Sequence, residues 1–193
     1  MCVIVIKPEG AALPDRDAML NCWSGNPHGA GYMYPMDGRV RIRKGFMELD
    51  ELMTSLDEII DMESKLLIVH FRHASHGHII PANTHPFPVS DSCADVRALD
   101  IQTHVGIAHN GIIRGISPRE GYSDTQEFIM TVLAPCMGWD REYHKTGHCK
   151  KLLELTQSKY AWMDGSGEIN SVGELIEYRG CRYSNDSYVR KIK

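Results

Sequence analysis

The sequence predicts one α+β domain whose strands pair as hairpins, and three features of the chain support this. Short β-branched and apolar runs alternate with amphipathic stretches, and Asp-Gly and Arg-Gly dipeptides mark turns between the later runs. A length of 193 residues suits a single domain over residues 1–193. A content of 42% hydrophobic and 24% charged residues excludes the disordered, collagen-like and coiled-coil classes.

The beginning of the chain predicts two strands with a short helix between them. Residues 3–6 are all Val or Ile and are followed by Pro8, so we expect a buried strand that begins almost at the terminus. Residues 15–23 follow Pro14 and are the candidate for the helix. A glycine-rich turn over residues 25–31 then leads into the second strand.

The next part of the chain predicts a hairpin, a helix and a buried strand. Asp37 and Gly38 form a hairpin turn before residues 39–43, which alternate between charged and apolar side chains as a half-buried strand does. Residues 47–62 carry apolar side chains at steps of three and four, which is the period of an amphipathic helix. Residues 66–69 are apolar throughout and predict a buried strand.

The later elements are a loop, a strand, a capped helix and a strand-rich tail. Residues 86–101 are rich in Pro, Ser and Asp and predict a loop, whereas residues 105–108 predict a strand. Residues 123–133 open with the Ser-x-x-Gln pattern of a capping box and predict a helix that Pro135 ends. Residues 136–148 show no period and are treated as an insertion or a lid. The elements predicted beyond them are a helix over residues 150–157 and antiparallel strands with turns at Asp164-Gly165 and Arg179-Gly180.

Charge and cysteine content restrict the partners and the compartment. The chain has 21 Lys and Arg against 25 Asp and Glu, a formal net charge of −4, which argues against nucleic acid or an anionic membrane as the main partner. Six scattered cysteines in a chain too long to need disulfides predict free thiols and a reducing, cytoplasmic location. The apolar runs are too short for a signal peptide or a membrane span.

Cys2 is a candidate nucleophile. If the initiator methionine is removed, the thiol and a free α-amine belong to the same residue. The α-amine titrates at about 7.7–8.0 and a thiol at about 8.5, so the amine can accept the thiol proton near neutral pH. Taken alone, Cys2 is more simply explained as a small residue at the start of a strand.

Polar residues at the ends of predicted elements are further candidates. Asn110 and Gly111 follow a strand and could stabilise an oxyanion through an amide and a close backbone N–H, although Asn-Gly is also a common tight turn. Arg72 could bind a carboxylate, and Asp124 lies in the first turn of a helix, where it also complements the helix dipole. Neighbouring histidines lack the spacing of a known metal site, so we expect no metal or other cofactor. These are His73, His76, His78 and His85.

Together and in this order, these residues resemble the class II glutamine amidotransferases, which are N-terminal-nucleophile hydrolases. The resemblance covers residues 1–134, and the tail is also similar. The matching stretches are Met1-Cys2, residues 26–31, residues 71–77, residues 83–87, His109-Asn110-Gly111, Ser123-Asp124-Thr125 and, in the tail, Tyr183-Ser184-Asn185. The resemblance implies a four-layer α/β/β/α sandwich.

The resemblance also implies a role for each matching residue. Cys2 would attack the side-chain amide of glutamine, with its own α-amine as the general base. Asn110 and the backbone N–H of Gly111 would form the oxyanion hole. Arg72 would bind the α-carboxylate of glutamine and Asp124 its α-ammonium. The other residues implied to line that pocket are Ser75 and His76.

The implied reaction forms a γ-glutamyl thioester on Cys2 and releases ammonia, after which water yields glutamate. Because the chain ends at Lys193, we expect a separate synthase or ligase subunit to receive the ammonia. The chain departs from the family at Val3, where Gly is common, and at His73, where an aromatic Tyr or Trp is frequent. Three alternatives stay open. The first is an N-terminal-nucleophile amidase that hydrolyses another amide, and the second is a non-catalytic binding or assembly module that retains the fold. The third is a metal site formed by histidines and cysteines.

Overall fold

Two antiparallel β-sheets form the centre of this computed structural model, which describes residues 1–59, 61–75 and 77–189. In sheet order, the larger sheet contains β10 (Ile176–Tyr178), β11 (Cys181–Tyr183), β1 (Val3–Lys7), β4 (Leu67–Phe71), β2 (Ala30–Met36), β3 (Arg39–Phe46) and β6 (Asp100–Thr103). The smaller sheet contains β5 (Phe87–Pro88), β7 (Val105–Asn110), β8 (Lys159–Asp164) and β9 (Ile169–Val172). The fold is therefore α+β, as the sequence predicts.

Helices pack on these sheets. The α-helices are α1 (Arg16–Gly25), α2 (Leu49–Asp57), α3 (Cys93–Arg97), α4 (Asp124–Phe128), α5 (Ala134–Trp139) and α6 (Gly147–Leu155). A π-helical turn, Ile129–Leu133, joins α4 to α5, and 3-10 turns occur at Met62–Ser64, Pro81–Asn83 and Tyr143–Lys145. Among the helices of the described residues, none has the length and apolar character needed to cross a membrane.

Both faces of β1 are buried, which explains its uninterrupted run of Val and Ile. Val3 and Val5 pack with α1 and α2, whereas Ile4 and Ile6 pack against the smaller sheet. Burying each of these side chains contributes about 1.5–3 kcal/mol. The buried residues of the cluster between the sheets are Ile4, Ile6, Met33, Val40, Ile42, Ile68, Ala108, Ala161 and Met163.

A further apolar cluster lies between the smaller sheet and the later helices. Ile107 and Trp162 of the sheet pack in it with Phe128 of α4 and Leu153 of α6. Ser123 caps α4 through a complete capping box, in which its side chain and that of Gln126 each accept a backbone N–H of the other residue. The predicted start of this helix is thus confirmed.

The β1 strand runs antiparallel between β4 and β11. Val3 pairs with Phe71 and Lys7 with Leu67, so β1 begins where β4 ends. On its other side, Val5 pairs with Tyr183. This register brings the residues that precede β1 next to those that follow β4.

Several sequence predictions are confirmed. The hairpin turn at Asp37-Gly38 joins β2 to β3, and both residues have positive φ angles of 52° and 72°. Arg179 and Gly180, with φ angles of 48° and 77°, form the turn between β10 and β11. The helix predicted over residues 15–23 is present as α1, and Asp15 caps it by accepting a hydrogen bond from the Ala18 N–H at 2.8 Å.

Other predicted boundaries are wrong. Residues 86–101 are not only loop, because they contain β5 and α3 and the start of β6. The amphipathic helix predicted over residues 47–62 is confined to α2, Leu49–Asp57. The last described residues of the predicted helix are not α-helical. Asp61 has a positive φ of 55°, and the 3-10 turn Met62–Ser64 follows it.

Pro135 does not end the helix that Ser123 begins. The chain continues through the π-helical turn into α5, and Pro135 lies in the first turn of α5. Proline lacks a backbone N–H, but a residue in a first helical turn does not need one for an intrahelical bond. The wider π turn therefore lets the helical path continue past the proline.

A buried polar contact holds part of residues 136–148 against β8. The interpretation of these residues as a lid or an insertion stays a prediction. In the 3-10 turn, His144 Nε2 lies 3.1 Å from Asp164 Oδ2 of β8, and Lys145 Nζ lies 3.0 Å from the same oxygen. The His144 carbonyl also accepts a hydrogen bond from Trp162 Nε1 at 2.9 Å. Burial opposes ionisation of Asp164, but hydrogen bonds from Ser166, His144 and Lys145 outweigh it and lower the pKa of the carboxyl.

We expect Asp164→Asn to destabilise the fold by about 1–3 kcal/mol at pH 7, because a buried hydrogen-bonded charge is lost. A lowered pKa means that the ionised carboxylate stabilises the fold above the unfolded value of about 3.9 and loses this effect as the pH falls. The difference between the proteins should therefore shrink from pH 4 to pH 2. Urea unfolding followed by circular dichroism measures this difference in the free energy of unfolding, with Glu168→Gln at an exposed position as the control. A difference that is the same at pH 4 and pH 2 contradicts the stabilising role of the Asp164 carboxylate.

Candidate active site

Cys2 lies beside the end of β4. Its Sγ accepts a hydrogen bond from the His73 N–H at 3.2 Å and lies 3.4 Å from the His73 carbonyl oxygen. Burial raises the pKa of the Cys2 thiol, and the His73 N–H and the Arg72 charge offset this only in part. The thiol is therefore mostly protonated at neutral pH, so a nucleophilic Cys2 needs a base that accepts its proton.

The first cleft, of about 330 Å³ including its open mouth, contains Cys2 and both predicted charged residues. Its position follows from the ends of β1, β4 and β7 and the start of α4. The lining residues are Cys2, Arg72, His73, Ala74, Ser75, His85, His109, Gly111, Ser123, Asp124 and Thr125.

Arg72 directly follows β4 and is buried, with 2% of its surface exposed. Its backbone N–H donates to the Gly29 carbonyl at 2.8 Å, and its Nη1 donates to the His78 carbonyl at 3.0 Å. Burial lowers the pKa of the guanidinium, while Cys2 and Asp124 oppose this effect. A buried guanidinium in a cleft suits a carboxylate ligand, because a carboxylate can accept paired N–H bonds from it.

Asp124 is the first residue of α4, and its carboxylate is held by backbone N–H groups. Oδ1 accepts from Thr125 N and Oδ2 accepts from Ile113 N, each at 2.8 Å. A carboxylate has about four lone-pair sites, so it can still accept hydrogen bonds from an ammonium group. Arg72 and Asp124 thus give the first cleft one positive and one negative group.

A second cleft adjoins the first at Cys2. It has a volume of about 690 Å³ including its open mouth, and it shares Cys2, Ser75 and Gly111 with the first cleft. The lining residues are Met1, Cys2, Ser75, Asn110, Gly111, Ile112, Arg114, Thr156, Gln157 and Ser158. The thiol of Cys2 therefore lies where the two clefts meet.

Asn110 ends β7 and lines the second cleft. Its Nδ2 donates to Ser184 Oγ at 2.9 Å, which fixes the side-chain amide and leaves its second N–H for a ligand. Gly111 must be glycine, because a Cβ would lie 2.2 Å from Ser158 Oγ. Two candidate oxyanion donors therefore reach the cleft next to Cys2.

The structure brings most of the sequence-predicted site residues together. Each of the following lines at least one of the two clefts: Cys2, Arg72, Ser75, Asn110, Gly111 and Asp124. The prediction for His76 lies outside the described residues. Cys2 sits at the junction, whereas Arg72 and Asp124 line only the first cleft and Asn110 only the second.

Two residues near the C-terminus also form the site, and we did not assign them roles from the sequence. Asn185 Nδ2 donates to the Cys2 carbonyl oxygen at 2.7 Å. Ser184 Oγ accepts from Ile4 N and from Asn110 Nδ2, both at 2.9 Å, and so joins β1 to the end of β7. The resemblance of the tail was the signal that could have identified them.

The histidines considered for a metal site have different surroundings. His73 is exposed and stacks on His28 at 4.9 Å, whereas His85 is buried and stacks on His70 at 4.3 Å. Among the described residues, a group of side chains whose possible metal-ligand atoms lie within 4.8 Å of one another occurs away from these four histidines. That cluster is Glu142, His144 and Asp164, and Lys145 Nζ already bridges its two carboxylates.

Comparisons with known proteins identify a distant relative. No protein-family model matches the chain. An uncharacterised protein of Methanocaldococcus jannaschii is 28% identical over 169 residues, which cover 85% of this chain and 42% of that protein. The chain thus spans about two fifths of that relative's length.

We expect Asn185→Ala to loosen Cys2, because the hydrogen bond to its carbonyl is lost. A bond worth about 1 kcal/mol corresponds to roughly a fivefold faster alkylation of the thiol by iodoacetamide. Peptide mass mapping measures the rate at Cys2, with the exposed Cys93 as internal reference. Asn21→Ala is the matched control, since Asn21 also donates to a backbone carbonyl, that of Tyr188; a similar increase in both variants argues against the assignment.

Proposed function

We propose that this chain is a class II glutamine amidotransferase domain that hydrolyses glutamine to glutamate and ammonia through a thioester on Cys2. The observation that carries this proposal is the first cleft, in which the Cys2 thiol lies with a buried cation, Arg72, and an anion, Asp124. These two charges complement the two charges of an amino-acid head group. The reacting side chain of the same ligand would then extend to Cys2.

The arrangement of the apolar clusters also supports the four-layer α/β/β/α sandwich of N-terminal-nucleophile hydrolases. Helices α1 and α2 pack on one face of the larger sheet, and the two sheets share a second cluster. Helices α4 and α6 pack on the far side of the smaller sheet. This packing is what a sandwich with the order helices, sheet, sheet, helices requires.

Substrate orientation depends on the two charged residues. Arg72 binds the α-carboxylate of glutamine through charge-assisted N–H bonds, and Asp124 accepts hydrogen bonds from the α-ammonium. Both side chains are anchored by backbone groups, so they are positioned before the substrate arrives. Holding the head group at two points aligns the side-chain amide with the Cys2 thiol and reduces the entropy lost in the reaction. Ser75 lines the same cleft beside Cys2.

The chemical steps follow from the environment of Cys2. Removal of Met1 exposes an α-amine, which accepts the proton of the thiol whose pKa burial has raised. The thiolate adds to the amide carbon, and the oxygen is stabilised by Gly111 N–H and Asn110 Nδ2. Ammonia leaves with the proton held by the α-amine, and water then hydrolyses the thioester to glutamate.

The proposal includes a partner and a compartment. A separate synthase or ligase subunit receives the ammonia. The domain works in the cytoplasm, which agrees with the free thiols of all six cysteines, since reducing compartments keep thiols unpaired. Neither nucleic acid nor a membrane takes part in the reaction.

We expect the active protein to lack Met1 and Cys2→Ala to reduce glutamine hydrolysis to background, because both the nucleophile and its base belong to Cys2. Intact mass spectrometry of the native protein and a glutaminase assay measure this. Cys93→Ala is the matched control, because Cys93 is an exposed free cysteine outside both clefts.

Three outcomes contradict this proposal in different ways. Full activity with Met1 still attached excludes the α-amine as the base. A methionine-free protein that hydrolyses other amides but not glutamine favours the amidase alternative. A native protein that retains Met1 and binds ligands without turnover favours the binding module.

We also expect substitutions of the head-group residues to change mainly KM and substitution of Asn110 to change mainly kcat. Arg72→Ala and Asp124→Asn should raise KM for glutamine about 10- to 100-fold, because each loses a charged contact to the substrate. Asn110→Ala should lower kcat by about 10²–10³ with little change in KM, because its amide acts on charge that develops in the transition state. Steady-state kinetics on variants that pass a circular dichroism check measures this. If Asn110→Ala changes only KM, Asn110 does not stabilise the oxyanion, and Asn110-Gly111 is better explained as an ordinary turn.

A further inference from the structure

The second cleft is larger than ammonia release requires. It contains Cys2 together with Asn110 and Gly111, the candidate oxyanion donors, whereas Arg72 and Asp124 line only the first cleft. A substrate whose head group lies in the first cleft therefore directs its side-chain amide group, oxygen and nitrogen, toward the second. The second cleft has about 690 Å³ of space against about 330 Å³ for the first. Such a space can take a substituent on that nitrogen.

The lining of the second cleft combines apolar surface with polar groups and one positive charge. Arg114 provides the one charged side chain among its lining residues, which include the hydroxyl groups of Thr156 and Ser158. Arg114 is exposed, and within the described residues its side chain forms no hydrogen bond or ion pair. Once Met1 is removed, the α-amine of Cys2 adds a second positive group when protonated. An anionic ligand group complements this lining.

Hydrogen bonds fix the two residues that precede Arg114, Ile112 and Ile113. Ile113 is buried, and its backbone N–H donates to Asp124 Oδ2 at 2.8 Å. The Ile112 carbonyl accepts a hydrogen bond from Ser158 Oγ at 3.4 Å. The backbone at Arg114 is therefore positioned at the rim, and the guanidinium is available to a ligand without breaking an existing contact.

We propose that the second cleft is a subsite for the nitrogen substituent of a γ-glutamyl amide, and that Arg114 binds an anionic group on this substituent. This inference rests on the proposed function, because it uses the same nucleophile and the same head-group contacts. The thiolate of Cys2 forms a bond to the amide carbon, and the C–N bond breaks. The leaving amine takes the proton held by the α-amine, and water then converts the thioester to glutamate and the free thiol.

A pair of substrates that differ in one charge tests the subsite. γ-L-Glutamylglycine places a carboxylate on the nitrogen substituent, and γ-L-glutamylglycinamide replaces that carboxylate with a neutral amide of similar size. We expect the methionine-free protein to cleave the first with about tenfold higher kcat/KM, since a charge-assisted hydrogen bond is lost with the second. Arg114→Gln should reduce this ratio to about one, and Arg114→Lys should retain part of it.

The matched control is Arg141→Gln, because Arg141 is an exposed arginine outside both clefts. Its substrate ratio should equal that of the unaltered protein. Hydrolysis of glutamine without a preference between the two dipeptide substrates overturns the subsite and leaves the proposed function intact. A preference that survives in Arg114→Gln overturns the role of Arg114. Failure to hydrolyse glutamine or either γ-glutamyl amide overturns the proposed function and this inference together.

Discussion

In the larger sheet, Val3 of β1 pairs with Phe71 of β4, so the strand that begins after Cys2 runs against the strand that ends before Arg72. Eight of the ten residues in these two strands are Val, Ile, Leu or Phe, and they are buried on both faces of the sheet. A slip of one residue would exchange the side chains between the two apolar clusters that this sheet separates and would displace His70, whose Nε2 lies 3.0 Å from the His109 carbonyl oxygen. The contact of the Cys2 thiol with the backbone of His73 follows from this pairing.

The remaining groups reach Cys2 through contacts between distant parts of the chain. Ser184 bonds both β1 and Asn110, so the position of the candidate oxyanion donor depends on the C-terminal tail. Asp124, which lines the first cleft, accepts a hydrogen bond from the Ile113 N–H, and Ile113 belongs to the loop that borders the second cleft. The hydrogen bonds of Ser184 and Asp124 therefore help to position the residues of both clefts.

Local patterns of the sequence were sufficient for elements whose stability is local. Apolar runs, the Asp37-Gly38 turn and the Ser123 cap act within a few residues, and the structure has the expected elements there. The continuation past Pro135 was not predictable in this way, because a π-helical turn removes the clash that a regular helix would have.

The candidate site was only partly accessible from the sequence. Cys2, Arg72 and Asp124 could be selected because their side chains have distinctive chemistry and lie at element ends. The hydrogen bond from Asn185 to Cys2 spans 183 positions, and no local pattern specifies such a contact. Likewise, Arg114 is an ordinary exposed arginine in the sequence, and only the three-dimensional structure brings it to a cleft beside Cys2.

The position of β1 also has a consequence for the order of assembly on the ribosome. Among the described strands β1 is synthesised before all the others, yet it lies between β4 and β11, and β11 is synthesised after all the others. Contacts of such long sequence separation form late, because the loop entropy must be lost first. The nascent chain therefore exposes one edge of β1 until residues 181–185 have been synthesised, and Cys2 gains its final surroundings only after that.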